Sequence, residues 1–254
     1  DHDRTVTQAV LQRLFNGKKK KDHSSVIDSI KDEDVAMLLE SHKNFNGAYS
    51  RIFDEKDFVW SKPHFITLKD NISVINLNTS WLDIDSSSNK DFLRIGSRLL
   101  QLEMTDKSGQ LSQSLNIAIG HHTLGDMIPE ERKRVLDQFK RNNIGAYFCG
   151  HRHKPSINSY SEYDVVEFVA PGGYNNGYSD GGYIWGIIDT DTDFYKAEVY
   201  GWYDNKWCIE SKLDGTDEYG IYYFNTDRFK HHSQIAAIDC KIIGGHIPKR
   251  DLDK

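Results

Sequence analysis

The sequence predicts a mixed α/β protein: a layered β-structure flanked by helices, with a helical insertion ahead of it and a β-rich extension behind. Three observations carry this reading. Two short apolar runs, residues 116–119 and 144–149, are separated by one amphipathic helical pattern, which is the strand, helix, strand order of a right-handed crossover unit. An earlier apolar strand at 72–77 is joined to the first of these by a second helical pattern, so the unit repeats. After residue 164 the spacing turns to alternating β-branched and aromatic residues between glycine-rich turns, read as a second, antiparallel sheet packed on the first.

Taken in order, residues 5–15 place Val6, Val10, Leu11 and Leu14 on one helical face. Gly17 and the run Lys18 to Lys21 break that pattern. No aromatic residue interleaves with these lysines to stack on bases, so they are read as a solvated loop. Ser24 and Ser25, followed by Val26, Ile27, Ile30, Val35, Leu38 and Leu39, predict one or two amphipathic helices with serine as cap, an insertion over the edge of the sheet. The aromatics Phe45, Tyr49, Phe53, Phe58 and Trp60 are read as core, and these helical parts make up a segment spanning 1–70. The main body is expected over 71–205 and the extension over 206–254.

Residues 65–68 and 72–77 predict a hairpin around Asp70-Asn71. The cluster at 86–89 is a surface loop by composition. Residues 92–104 carry Ile95, Leu99, Leu100 and Leu102 at helical spacing. Pro129-Glu130-Glu131 opens the crossover helix with proline at its first position and acids facing the positive end of its dipole, and Lys140 and Arg141 close it. Residues 165–169, 183–188 and 195–202 form the predicted second sheet, and 206–209 with 219–224 a further strand pair. The glycine- and tyrosine-rich run at 172–182 lacks a phosphate-cradling spacing and is read as a long turn near the active edge.

Composition bounds the function. A chain of 254 residues with net charge −6 does not favour phosphate backbones in bulk, although a metal site attracts phosphate locally. No apolar run approaches the ~20 residues that span a bilayer, and the N-terminus shows no basic-then-apolar signal pattern. The cysteines Cys149, Cys208 and Cys240 are odd in number and lack a C-x-x-C spacing, which fits a reducing, cytoplasmic setting without membrane association.

Chemistry concentrates at the ends of the two crossover strands. Gly120-His121-His122-Thr123 follows the first and Gly150-His151-Arg152-His153 the second, so both histidine pairs are expected at the carboxyl edge of a parallel sheet, where open α/β sheets place their ligands. Neutral imidazole is the commonest metal ligand near neutral pH, and His151 and His153 flank one residue, a spacing that lets a turning backbone aim them at two ions ~3.5–4 Å apart. Gly150 is expected to supply the bend. His122 is expected to contact a ligand or a phosphate, and Arg152 to point outward or reach a substrate oxygen. His231, His232 and His246 lack a preceding strand and glycine and are read as surface residues.

These two motifs resemble the last two metal-binding motifs of the calcineurin-like metallophosphoesterases. The resemblance extends back to residues 71–80, similar to that family's strand ending in a short polar turn, and forward to 166–173, similar to the strand and glycine turn after its GHxH motif. It implies His121, His151 and His153 as ligands of two divalent transition-metal ions (manganese, zinc or iron), and hydrolysis of a phosphoester. Phosphomonoesters, cyclic nucleotides and nucleic acids are all cleaved within the family. Its N-terminal Asp-x-His, GDxxD and GNHD motifs do not occur complete here. Asp1-His2-Asp3-Arg4 is either the tail of a GNHD motif, making His2 the catalytic histidine near the leaving group, or the residues just after it. The chain is thus expected to be the C-terminal portion of a longer enzyme whose N-terminal remainder supplies the other ligands. The alternatives are a non-catalytic binding or scaffold module of the same fold, and an unrelated α/β protein with surface histidines.

Overall fold

The computed structural model describes residues 4–19, 22–40, 42–43, 46–48, 51, 61–69, 71–82, 93–173, 181–189, 194–210 and 213–224. His2, the five aromatics Phe45, Tyr49, Phe53, Phe58 and Trp60, and His231, His232, His246 and Cys240 lie outside the described residues, as do Lys20 and Lys21 of the lysine run.

Helix α1 (Arg4–Phe15) is followed by Gly17 in the left-handed conformation, where a side chain would be strained. Two short helices follow, α2 (His23–Asp28) and α3 (Asp32–Glu40). The residue preceding α2 is Asp22, and Ser25 donates its hydroxyl to the Asp22 carbonyl over 2.8 Å, so the serines lie inside the helix and not at its cap. Helices α1 and α3 close on a cluster of Val10, Leu11, Val35, Leu38, Leu39 and Trp81.

Strands β1 (His64–Lys69) and β2 (Ile72–Leu77) form the expected hairpin, with Asn71 left-handed at its turn. Helices α4 (Ser97–Asp106) and α5 (Ser108–Leu111) then lead to β3 (Leu115–Ile119), and α6 (Pro129–Arg141) leads from β3 to β4 (Ile144–Cys149). Proline opens α6 as expected, with Glu130 and Glu131 in its first turn and Lys140 and Arg141 in its last. Strands β5 (Ser156–Tyr160) and β6 (Val165–Val169) complete a six-stranded sheet of order β1-β2-β3-β4-β6-β5. Its four inner strands β2, β3, β4 and β6 are parallel; β1 and β5 run antiparallel at the edges.

Placement of β6 corrects the expectation that 165–169 belongs to the second sheet. All five of its residues are buried, Val165 and Val169 beneath the helices and Val166 and Phe168 against the second sheet. A strand covered on both faces, apolar here except for Glu167, lacks the alternation that would say to which sheet it belongs. The polar β5, Ser-Ile-Asn-Ser-Tyr, was not expected at all.

The second sheet comprises β7 (Gly182–Asp189), β8 (Phe194–Tyr203), β9 (Lys206–Ile209) and β10 (Ile221–Tyr223), all antiparallel. β9 and β10 pair with β8 and not with each other, a second correction. The molecule is therefore mixed α/β, layered as helices, six-stranded sheet and antiparallel sheet, consistent with a metallophosphoesterase-like fold. Leu100, Met104, Val135, Leu136 and Phe139 cover one face of the first sheet. Leu115, Ala146, Phe168, Tyr195, Ala197 and Phe224 fill the space between the sheets.

Candidate metal centre

Because β2, β3 and β4 are parallel neighbours, the residues that follow each of them emerge at one edge. They are Asn78-Thr79 after β2, residues 120–123 after β3 and 150–153 after β4. The two histidine turns continue the ladder: the Gly120 amide donates to the Phe148 carbonyl and the Gly150 amide to the His121 carbonyl, each over 3.0 Å.

At that edge His151 Nδ1 and His121 Nε2 stand 3.1 Å apart. With His122 they form a group whose ligand-type nitrogens all lie within 4.8 Å of one another. His121 and His151 are exposed and His122 is buried. Two imidazole nitrogens at this separation match neighbouring ligands each ~2.0–2.1 Å from a single ion, so the donor set fits a divalent transition metal. Among the described residues, no carboxylate or thiolate joins this group. His153 is exposed on the same turn and stands outside the group.

What holds the first turn is buried. Tyr147, fully enclosed on β4, donates its hydroxyl to the His122 carbonyl over 2.6 Å. A Cβ at position 120 would fall on that same hydroxyl, so glycine is needed there for close approach. Thr79 Oγ1 accepts the backbone amides of His121 (3.3 Å) and His122 (3.1 Å) and lies 2.9 Å from His122 Nδ1. Thr123 and Asp126 form a capping box over a 3₁₀ turn, with the Thr123 amide and hydroxyl donating to Asp126 Oδ2 over 3.1 and 2.7 Å. Glu167 on β6 accepts the Leu124 amide at 2.6 Å and Asn158 Nδ2 at 2.8 Å. Burial pushes the Glu167 carboxyl above the usual carboxylate range, with those hydrogen bonds pulling the other way and the Asp126 charge adding to the rise.

The second turn is built differently. Gly150 has an ordinary backbone, and its neighbourhood is open; His151 (φ 67°) and His153 (φ 56°) adopt the left-handed conformation instead. This corrects the assignment of the bend to Gly150. Arg152 is paired with Asp126, so its guanidinium ties the second turn to the capping box of the first. The Cys149 thiol, just before this turn, is pushed well above its ordinary value by burial and by the Glu167 charge, which makes it a buried hydrophobe as its strand position suggests.

Four residues that shape the site carry no histidine-like signal in the sequence: Thr79, Tyr147, Asp126 and Glu167. Only Asp126 had a local sign, since Thr123-x-x-Asp126 has the spacing of a capping box. The helical cluster sits beside this edge through Trp81, two residues past Thr79 and fully buried.

Fold and site together define a mixed α/β protein with metallophosphoesterase-like layering and a histidine group at its sheet edge. No family model matches the chain. It is 25% identical over 203 residues, 78% of its length, to an uncharacterized metallophosphoesterase-like protein, YydB, of Bacillus subtilis (strain 168), and this alignment supports the resemblance at a distant level. The chain spans 41% of the length of that protein. Among solved structures it is similar to GAP50, described as the anchor in the inner membrane complex of Plasmodium, with a TM-score of 0.33 and 13% identity over 68% of this chain and 60% of that one. Among the described residues no helix is long and apolar enough to cross a membrane.

Proposed function

We propose that the chain contributes the C-terminal metal ligands of a two-metal phosphoester hydrolase. The observation that carries this is the 3.1 Å approach of His121 and His151 across two parallel strand ends. In this reading His121 and His151 hold one ion. His153, turned out on the same strained loop, serves the second, together with ligands from upstream of this chain. A bound ion supplies Lewis acidity toward a phosphoryl oxygen and lowers the pKa of water. His122, buried beside the ligand pair, donates a hydrogen bond to a phosphoryl oxygen. Arg152 is already engaged by Asp126, so it orients the second turn unless an anionic substrate draws it away. His2 would act near the leaving group, and phosphodiesters, including those of nucleotides and nucleic acids, are the substrate class.

Calorimetric titration with zinc or manganese, and turnover of an aryl phosphodiester, test the reading on the 254-residue chain and on a version extended upstream. We expect weak binding of one ion by the chain, tight binding of two with turnover in the extended protein, and loss of both in His151→Ala. A chain that binds no ion in either form would end the proposal. Because no carboxylate joins the histidine group among the described residues, a second reading is a metal-binding module without turnover. Two-ion binding by the extended protein with no hydrolysis of any phosphoester would select it.

A further inference from the structure

The Thr79 hydroxyl oxygen meets three nitrogens at the first turn, the amides of His121 and His122 and the His122 Nδ1. Two backbone amides, those of His121 and His122, point at Oγ1, and an amide can only donate. A hydroxyl oxygen offers two lone pairs and one proton, so both lone pairs are taken. Thr79 is fully buried, which leaves no water to receive its proton. Among the described residues the remaining partner is His122 Nδ1 at 2.9 Å. A neutral imidazole that accepts at Nδ1 carries its hydrogen on Nε2, and a nitrogen that bears a hydrogen does not ligate a metal.

We propose that Thr79 is a positioning residue that fixes His122 as its Nε2–H tautomer. His122 is thereby a donor to an anionic oxygen, and of the three clustered histidines only His121 and His151 are ligands. The buried ring is further oriented by its own backbone: the Tyr147 hydroxyl fixes the His122 carbonyl and Thr79 fixes its amide. His121 Nε2 instead faces His151 Nδ1, the other nitrogen of the pair. The identity of the anionic oxygen as a phosphoryl group rests on the phosphoester reading; the tautomer does not.

The test is ring-nitrogen NMR on the ¹⁵N-labelled 254-residue protein, stripped with a chelator and held above the ordinary imidazole pKa of ~6.5. The wild type and Thr79→Ser should show an unprotonated Nδ1 and a protonated Nε2 at His122, whereas Thr79→Val should show a mixture of tautomers. Zinc should then shift the ring nitrogens of His121 and His151 and leave the His122 Nε2 protonated. Inorganic phosphate added to the zinc-loaded protein should perturb the His122 Nε2–H, and bind roughly tenfold more weakly to Thr79→Val with zinc affinity retained, as loss of a charge-assisted hydrogen bond requires. A protonated Nδ1 in the wild type, or zinc on His122 Nε2, overturns the proposal. Should the valine variant fail to fold, the wild-type and serine spectra decide it alone. Failure of zinc to bind while the Nε2–H tautomer persists would refute the metal reading and uphold the role of Thr79.

Discussion

The two histidine turns stand side by side on neighbouring strands, yet they are built on opposite plans. The first, at 120–126, is underpinned from below: Leu124 is buried in the main core, and the backbone is held by Thr79, Tyr147, Asp126 and Glu167. The second, at 150–153, is exposed and carries two histidines in the left-handed conformation, which costs an L-residue roughly 1–2 kcal/mol each. Its ties run through the first: the Gly150 amide to the His121 carbonyl and Arg152 to Asp126. One turn is thus a fixed template and the other is strained against it. Strain of this kind persists only where the surroundings over-determine it, and it concentrates at functional sites.

The sharpest way to break the comparison is to add one methyl group to each glycine. In Gly120→Ala the new Cβ meets the Tyr147 hydroxyl and the Thr79 methyl group, both fully buried, and the hydroxyl cannot move without releasing the His122 carbonyl. Overpacking of this sort costs about 1–3 kcal/mol, and the lost hydrogen bond puts the expected value near the top of that range. Gly150→Ala meets nothing within 4 Å and has no left-handed backbone to oppose it, so it should be neutral or gain up to ~1 kcal/mol through the unfolded state. Urea denaturation of the two variants measures the contrast, and equal losses would refute it.

Glu167 comes next in size. Glu167→Ala strips the buried Leu124 amide of its acceptor, at an expected cost of about 1–3 kcal/mol. Its charge adds a pH dependence. Burial holds the folded carboxyl above its ordinary value of 4.5, so in that window the native state binds a proton that the unfolded chain has released. Stability from this group is present below 4.5 and falls as pH rises through the folded-state value. Glu167→Gln should flatten that fall in urea midpoints taken across the acid range; an unchanged profile would remove Glu167 as its source.

Much of this was legible in the sequence where the signal is local. Proline, two acids and two terminal basic residues marked α6, and the apolar runs marked β3 and β4. The histidines announced themselves by following glycine after a strand. What stayed hidden has physical causes. β5 pairs at the sheet edge with a mostly polar sequence, so it has no apolar signal to read. The supports of the first turn act across long separations: Thr79 reaches His122 over 43 positions, Glu167 reaches Leu124 over 43, and Tyr147 reaches His122 over 25. A threonine after a strand and a glutamate within one have many ordinary uses, and only the folded register brings them under the histidines.

The smallest expected effect sharpens the comparison from the strained side. His153 is exposed, left-handed and outside the histidine group, so its side chain contributes little packing while its backbone stores strain. His153→Gly relieves that strain, roughly 1–2 kcal/mol, and gives back about 0.4–1 kcal/mol through the freer unfolded chain, for a net gain of about 0.5 kcal/mol. His151→Gly relieves the same strain, since its φ is 67°, but gives up the ring contacts with His121 and His122, so its net gain should be smaller. The two variants must then part in zinc titration of the 254-residue protein: His153→Gly should retain the first ion and His151→Gly should lose it, because His151 supplies the nitrogen that meets His121. If His153→Gly also lost that ion, His153 would belong with His121 in the first ligand set, and the strain at both positions would serve one ion.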